Sequence, residues 1–160
     1  MSKRLKLYLE TSVWNFIFAD DAPEKQEITR KFFTELRKEQ YEIYISELVM
    51  VEIADTPQEE KRNRLEDLIR EYQPVRVELN KAVEVLSRKY IEAQIVPRKV
   101  QEDAIHIAYA TAAHLNAIVS WNLKHIVKLK TKLAENRINQ SLGYKEIELV
   151  TPEEVIEYET

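Results

Sequence analysis

The chain has no cysteine and only one glycine, Gly143, among its 160 residues. Without cysteine there is neither a disulfide framework nor a thiolate metal site. One glycine cannot build a glycine-rich phosphate loop, so the P-loop and dinucleotide fingerprints are excluded. Histidine is scarce as well. His106, His114 and His125 are the only three, and they lack zinc-ligand spacing such as H-E-x-x-H. Long apolar runs are missing too. The first apolar stretch stops at Glu10, which argues against a signal peptide or a membrane span and sets the expectation of a cytoplasmic protein. There is no repeat, linker or low-complexity tract, and the length suits one domain over 1–160 with a sizeable core.

Hydrophobic residues make up 44% and charged residues 32%, the balance of a globular chain and not of a disordered one. The formal net charge is -4. A protein that coats a duplex is usually basic. A nucleic-acid enzyme need not be, because carboxylates gathered around metal ions lower the total. The charge is also unevenly placed: between Trp121 and Arg137 stand four lysines and one arginine against one glutamate. That segment is either a solvated helix face or a track for phosphates.

Hydrophobic periodicity alternates strand-like and helix-like segments. Strands are expected at Leu5–Leu9, Tyr41–Ser46, 74–79, 117–120 and 147–150. Helices are expected at 24–39, at Glu47–Ala54, from Thr56-Pro57 through Tyr72, from an Asn80 cap through Val83, Leu86 and Tyr90 to a stop before Pro97, at 101–115, and from 124 to about 140. A last short helix follows the capping sequence Thr151-Pro152-Glu153-Glu154. Strands separated by helices predict a three-layer α/β/α fold with a mostly parallel central sheet. Its ligand crevice should lie outside the carboxyl ends of the strands.

Three acids stand where charge is locally expensive. Glu10 ends the first strand, Glu52 interrupts "ELVMVEIA", and Asp103 opens the small-residue helix "DAIHIAYATAAHL". Asn122 lies just past the strand "AIVSW". Charges beside apolar surface need partners, and no neighbouring lysine or arginine in the sequence offers one. Hard oxygen ligands without cysteine point to Mg²⁺ or Mn²⁺. Each residue also has a plainer reading. Thr11 or Ser12 could cap a helix, Glu52 could face outward, Asp103 could serve the helix dipole, and Asn122 could be an ordinary turn residue. His106 lies three residues after Asp103 on the same helical face, so it either approaches a site or is a packed, hydrogen-bonded histidine.

In order, "LYLETSVW", "ISELVMVE" and "EDAIHIAYATAAHLNAIVSWNLKHI" resemble the PIN-domain nucleases, including the VapC-like toxins, over most of the chain. The resemblance implies a PIN-like fold and a metal-dependent ribonuclease. Glu10 and Asp103 would hold the principal Mg²⁺ or Mn²⁺, and Glu52 would serve a second metal or orient the attacking water. Thr11, Ser12 and Asn122 would bond water or phosphate, with Lys124 and Lys128 along the RNA backbone. It also implies an antitoxin protein as partner if the chain is a toxin, and a homodimer. Two departures stand out. Glu10 replaces the usual Asp, and Asn122 replaces the fourth acid of many members. They support a rival reading, a catalytically degenerate PIN-like module that binds RNA or protein.

Overall fold

A computed structural model describes residues 4–38 and 40–158. Among these residues, five strands form one sheet: β1 (Leu5–Leu9), β2 (Tyr41–Ser46), β3 (Val75–Val77), β4 (Ala117–Val119) and β5 (Glu148–Val150). Their order is β3-β2-β1-β4-β5, and every pairing is parallel. Leu7 pairs with Ile43 on one side and Ala117 on the other. As the central strand β1 is covered on both faces, which is why Leu7, Tyr8 and Leu9 are all buried and do not alternate.

Among the described residues, eight α-helices connect and cover the strands: α1 (Thr11–Phe16), α2 (Pro23–Leu36), α3 (Glu47–Ala54), α4 (Glu59–Tyr72), α5 (Lys81–Glu92), α6 (Gln101–Ala112), α7 (Leu129–Ser141) and α8 (Pro152–Tyr158). Their contacts sort into two groups. The helices α1, α2, α3, α4 and α8 pack among themselves, while α5 packs on α6 and α7. Right-handed crossovers from a central β1 toward β3 on one side and β5 on the other place these groups on opposite faces. The result is a three-layer α/β/α fold. Helix α6 is packed through Ala104, Ile107, Ala108 and Ala110, all fully buried. The small side chains let α5 lay Val83, Leu86 and Tyr90 close against it. Each fully buried Leu, Ile or Val contributes about 1.5–3 kcal/mol. No helix among the described residues is long and apolar enough to cross a membrane.

Caps explain several boundaries. Asn80 Oδ1 accepts from Val83 N at 3.0 Å, and Thr151 and Glu154 bond each other's backbone N–H in a capping box. Gly143 turns the chain after α7 with φ +81°. Other boundaries differ from the periodicity. Helix α2 ends at Leu36, and Glu39 lies outside the described residues. Thr56-Pro57 closes the turn out of α3, with Thr56 N bonded to Ile53 O, so α4 starts only at Glu59. The expected helix from 124 begins at Leu129, because Asn122 O accepts from both Ile126 and Val127 and folds 122–128 into a turn. Helix α1, absent from the periodicity, is too short to show one.

Candidate functional site

The strand order reverses between β1 and β4, whose connections lead to opposite sides of the sheet. Such a switch point opens a crevice at the carboxyl ends of the strands. Glu10 follows β1 and Ser120 follows β4. Glu10 takes the cap position of α1 by backbone geometry, yet its side chain caps nothing. Thr11 and Ser12 lie inside α1 and do not cap it either. Their hydroxyls point to carboxylates instead.

Ser12 Oγ donates to Glu10 Oε1 at 2.5 Å, and Ser120 Oγ donates to the same oxygen at 2.6 Å. Both serines are oriented by backbone donors: Trp121 N bonds Ser12 Oγ and Asn122 N bonds Ser120 Oγ, each at 2.9 Å. Glu52 is held in the same way. Its Oε1 accepts from Thr11 Oγ1 and contacts His106 Nε2 at 2.7 Å. In both glutamates the hydrogen bonds among the described residues fall on one oxygen and leave the other without one.

One ligand atom from each of Glu10, Glu52 and His106 falls within 4.8 Å of the others. Asp103, one turn before His106 on α6, is outside that tightest group but belongs to the same electrostatic unit. Its pKa is pushed up to about 6, first by burial and then by the charge of Glu10, with Glu52 adding to the rise. The amide of Asn122 opposes this by donating to Asp103 Oδ2 at 3.0 Å. Burial alone would raise Glu52, but the hydrogen bond and charge of His106 and the Thr11 hydroxyl bring it below its ordinary value. Burial would lower His106, but the Glu52 hydrogen bond and the charges of Glu10, Glu52 and Asp103 raise it. No lysine or arginine ion-pairs with these three acids among the described residues. Three converging carboxylates with only an imidazole to offset them fit a hard divalent cation.

The four polar residues singled out in the sequence therefore meet at one edge of the sheet. Asn122 is fully engaged there, since its Oδ1 accepts from His125 N at 2.9 Å while its amide serves Asp103. A water or phosphate contact from Thr11 or Ser12 would draw on hydroxyls whose protons already go to carboxylates. Lys124 and Lys128 lie on the 122–128 turn that Asn122 opens. With Lys99 they form a basic cluster whose charge, after burial, depresses His125. Two partners escaped the sequence reading. Tyr8 sits two residues before Glu10, so the period of the strand aims both to one side. Ser46 Oγ lies 2.7 Å from Tyr8 Oη, and Tyr8 Oη lies 2.7 Å from His106 Nδ1.

The same arrangement of strands and helices is found in a solved structure. A chain of VapBC2 from Rickettsia felis, bound to a DNA fragment from its promoter, superposes over 92% of this chain and 98% of its own length, with TM-score 0.51 and 13% identity. The fold is PIN-like. No family model matches the sequence, and no curated protein matches it. At that identity the likeness speaks for the fold, and the chemistry has to be read from the site.

Proposed function

We propose that this protein is a Mg²⁺- or Mn²⁺-dependent endoribonuclease. The observation that carries the reading is the convergence of Glu10, Glu52 and Asp103 at the switch point, with no lysine or arginine among the described residues to neutralise them. Glu10 and Asp103 would hold the principal cation and Glu52 would complete the set. When bound, such an ion acidifies a coordinated water and offsets charge building on the phosphate.

The chain's own residues do the rest. Ser12 and Ser120 fix one oxygen of Glu10, so the carboxylate is set before any ligand arrives. Asn122 does the same for Asp103. Lys99, Lys124 and Lys128 gather around His125, three residues after Asn122, and such a basic cluster would suit the backbone of a single strand. RNA as the substrate class comes from the resemblance to PIN-domain nucleases. The likeness to a VapBC2 chain favours a toxin restrained by an antitoxin protein, and homodimers are expected in that family.

The second reading is a degenerate module that binds RNA or protein without cutting. It is favoured by Asn122, whose side-chain oxygen is committed to His125 N and which adds no fourth charge. Cleavage of a mixed pool of unstructured RNAs separates the two. The nuclease reading expects cutting that requires Mn²⁺, stops with chelator and falls by orders of magnitude in Asp103→Asn. Cutting that survives the chelator or that substitution contradicts it.

A further inference from the structure

His106 takes part in no step proposed above, yet it is fully buried at the centre of the acidic cluster. Both ring nitrogens are in use. Nδ1 lies 2.7 Å from Tyr8 Oη and Nε2 lies 2.7 Å from Glu52 Oε1. Tyr8 is itself anchored by Ser46 Oγ at 2.7 Å, and its ring meets the imidazole edge-on at 5.7 Å. A continuous chain thus runs from the end of β2 through β1 and α6 to α3: Ser46, Tyr8, His106, Glu52.

Proximity alone would make His106 a metal ligand. The hydrogen-bond geometry argues otherwise. Each imidazole nitrogen has one in-plane direction, filled by a proton or by a lone pair. At Nε2 that direction is taken by Glu52 Oε1. A bare nitrogen would set lone pair against carboxylate, whereas a protonated one makes a charge-assisted bond. An Nε2 that carries a proton has nothing to offer a cation. Thr11 donates to the same Oε1, so two donors pin it and leave Oε2 of Glu52 without a hydrogen bond among the described residues.

We infer that His106 is a positioning residue: held by Tyr8, it donates Nε2–H to Glu52 and sets which oxygen of that carboxylate faces the cation. The inference rests on the reading of Glu10, Glu52 and Asp103 as a cation site. It keeps the ligand set all-oxygen. Glu52 is presented by a buried lever that reaches from two strands, not by its own short helix alone. Outer partners of this kind typically change metal affinity about 10–100-fold when removed.

The test is calorimetric titration of Mn²⁺ into the wild type, His106→Phe and His106→Gln, each checked for folding by circular dichroism. Wild type should bind. His106→Phe keeps a ring but loses the donor, and its affinity should fall by about ten-fold or more. His106→Gln can still donate toward Glu52 and should recover most of the loss. Unchanged affinity in a folded His106→Phe overturns the inference, as does a Gln variant no better than Phe. Absence of Mn²⁺ binding by wild type overturns the cation site itself, and the inference with it. Should either variant fail to fold, nitrogen NMR of the Mg²⁺-loaded wild type decides. A proton on Nε2 of His106 upholds the role, and a bare Nε2 overturns it.

Discussion

Ser120 Oγ donates to Glu10 Oε1 at 2.6 Å across 110 residues of sequence, joining the ends of the two strands that flank the switch point. Ser120 is fully buried and also accepts from Asn122 N. It therefore orders the first acid of the site and the turn that carries the last polar residue.

Ser120→Ala removes a hydrogen bond to a charged group and leaves Asn122 N without its acceptor. The expected cost is about 1.5–3 kcal/mol, read from urea unfolding without metal. A loss below about 0.5 kcal/mol, the lower end for an ordinary hydrogen bond, would mean that Ser12 alone suffices to hold Glu10.

Asp103 makes stability depend on pH. Its folded pKa, raised to about 6 by burial and by Glu10, lies above the value of an exposed Asp near 3.9. The native state therefore holds the proton more tightly. This contribution to stability is full below about pH 4 and is lost as pH rises through about 6. In Asp103→Asn that loss disappears, so the variant should gain on wild type between those limits in metal-free thermal melts. A constant difference across that window would place the carboxylate outside the repulsive cluster.

The fold was legible in the sequence to the extent that its strands were apolar and its helices periodic. Leu5–Leu9 and Tyr41–Ser46 read directly because β-branched, aromatic and leucine side chains filled them. The turn at 122–128 did not, since it closes on the backbone carbonyl of Asn122, and lysines there are equally at home in a helix. Glu10, Glu52 and Asp103 stood out because charge beside apolar sequence is costly. Tyr8 and Ser46 did not, because a tyrosine and a serine at the end of a strand look like core and cap. Only tertiary contact turns them into a support for His106.

Asn122→Asp replaces the amide that donates to Asp103 at 3.0 Å with a like charge. Its bond to the backbone N–H of His125 can persist. Stability without metal should fall as the repulsion grows, while the Mn²⁺-induced rise in melting temperature should exceed that of wild type. Equal shifts in the two proteins would remove Asn122 from the reach of the cation.

Outside the acidic cluster, Glu135 on α7 is fully buried with Oε1 unpaired among the described residues, and burial followed by the charges of Glu146 and Glu148 pushes its pKa up to about 8. Against an ordinary Glu near 4.3, its contribution is full below that value and is lost as pH rises through about 8. Glu135→Gln should therefore be the more stable protein at pH 8, by more than about 1 kcal/mol, with the advantage shrinking toward pH 4. Parallel curves for variant and wild type would contradict a buried, protonated carboxyl.

The central claim is that Glu10, Glu52 and Asp103 form a divalent-cation site, and a crystal soaked in Mn²⁺ tests it most directly. Anomalous scattering at the manganese edge should show a peak within coordination distance of the Glu10 and Asp103 carboxylates, at about 2.0–2.3 Å, a typical range for carboxylate oxygen on a small divalent ion. A crystal that takes up manganese elsewhere, or shows no peak between those two residues, would contradict the account.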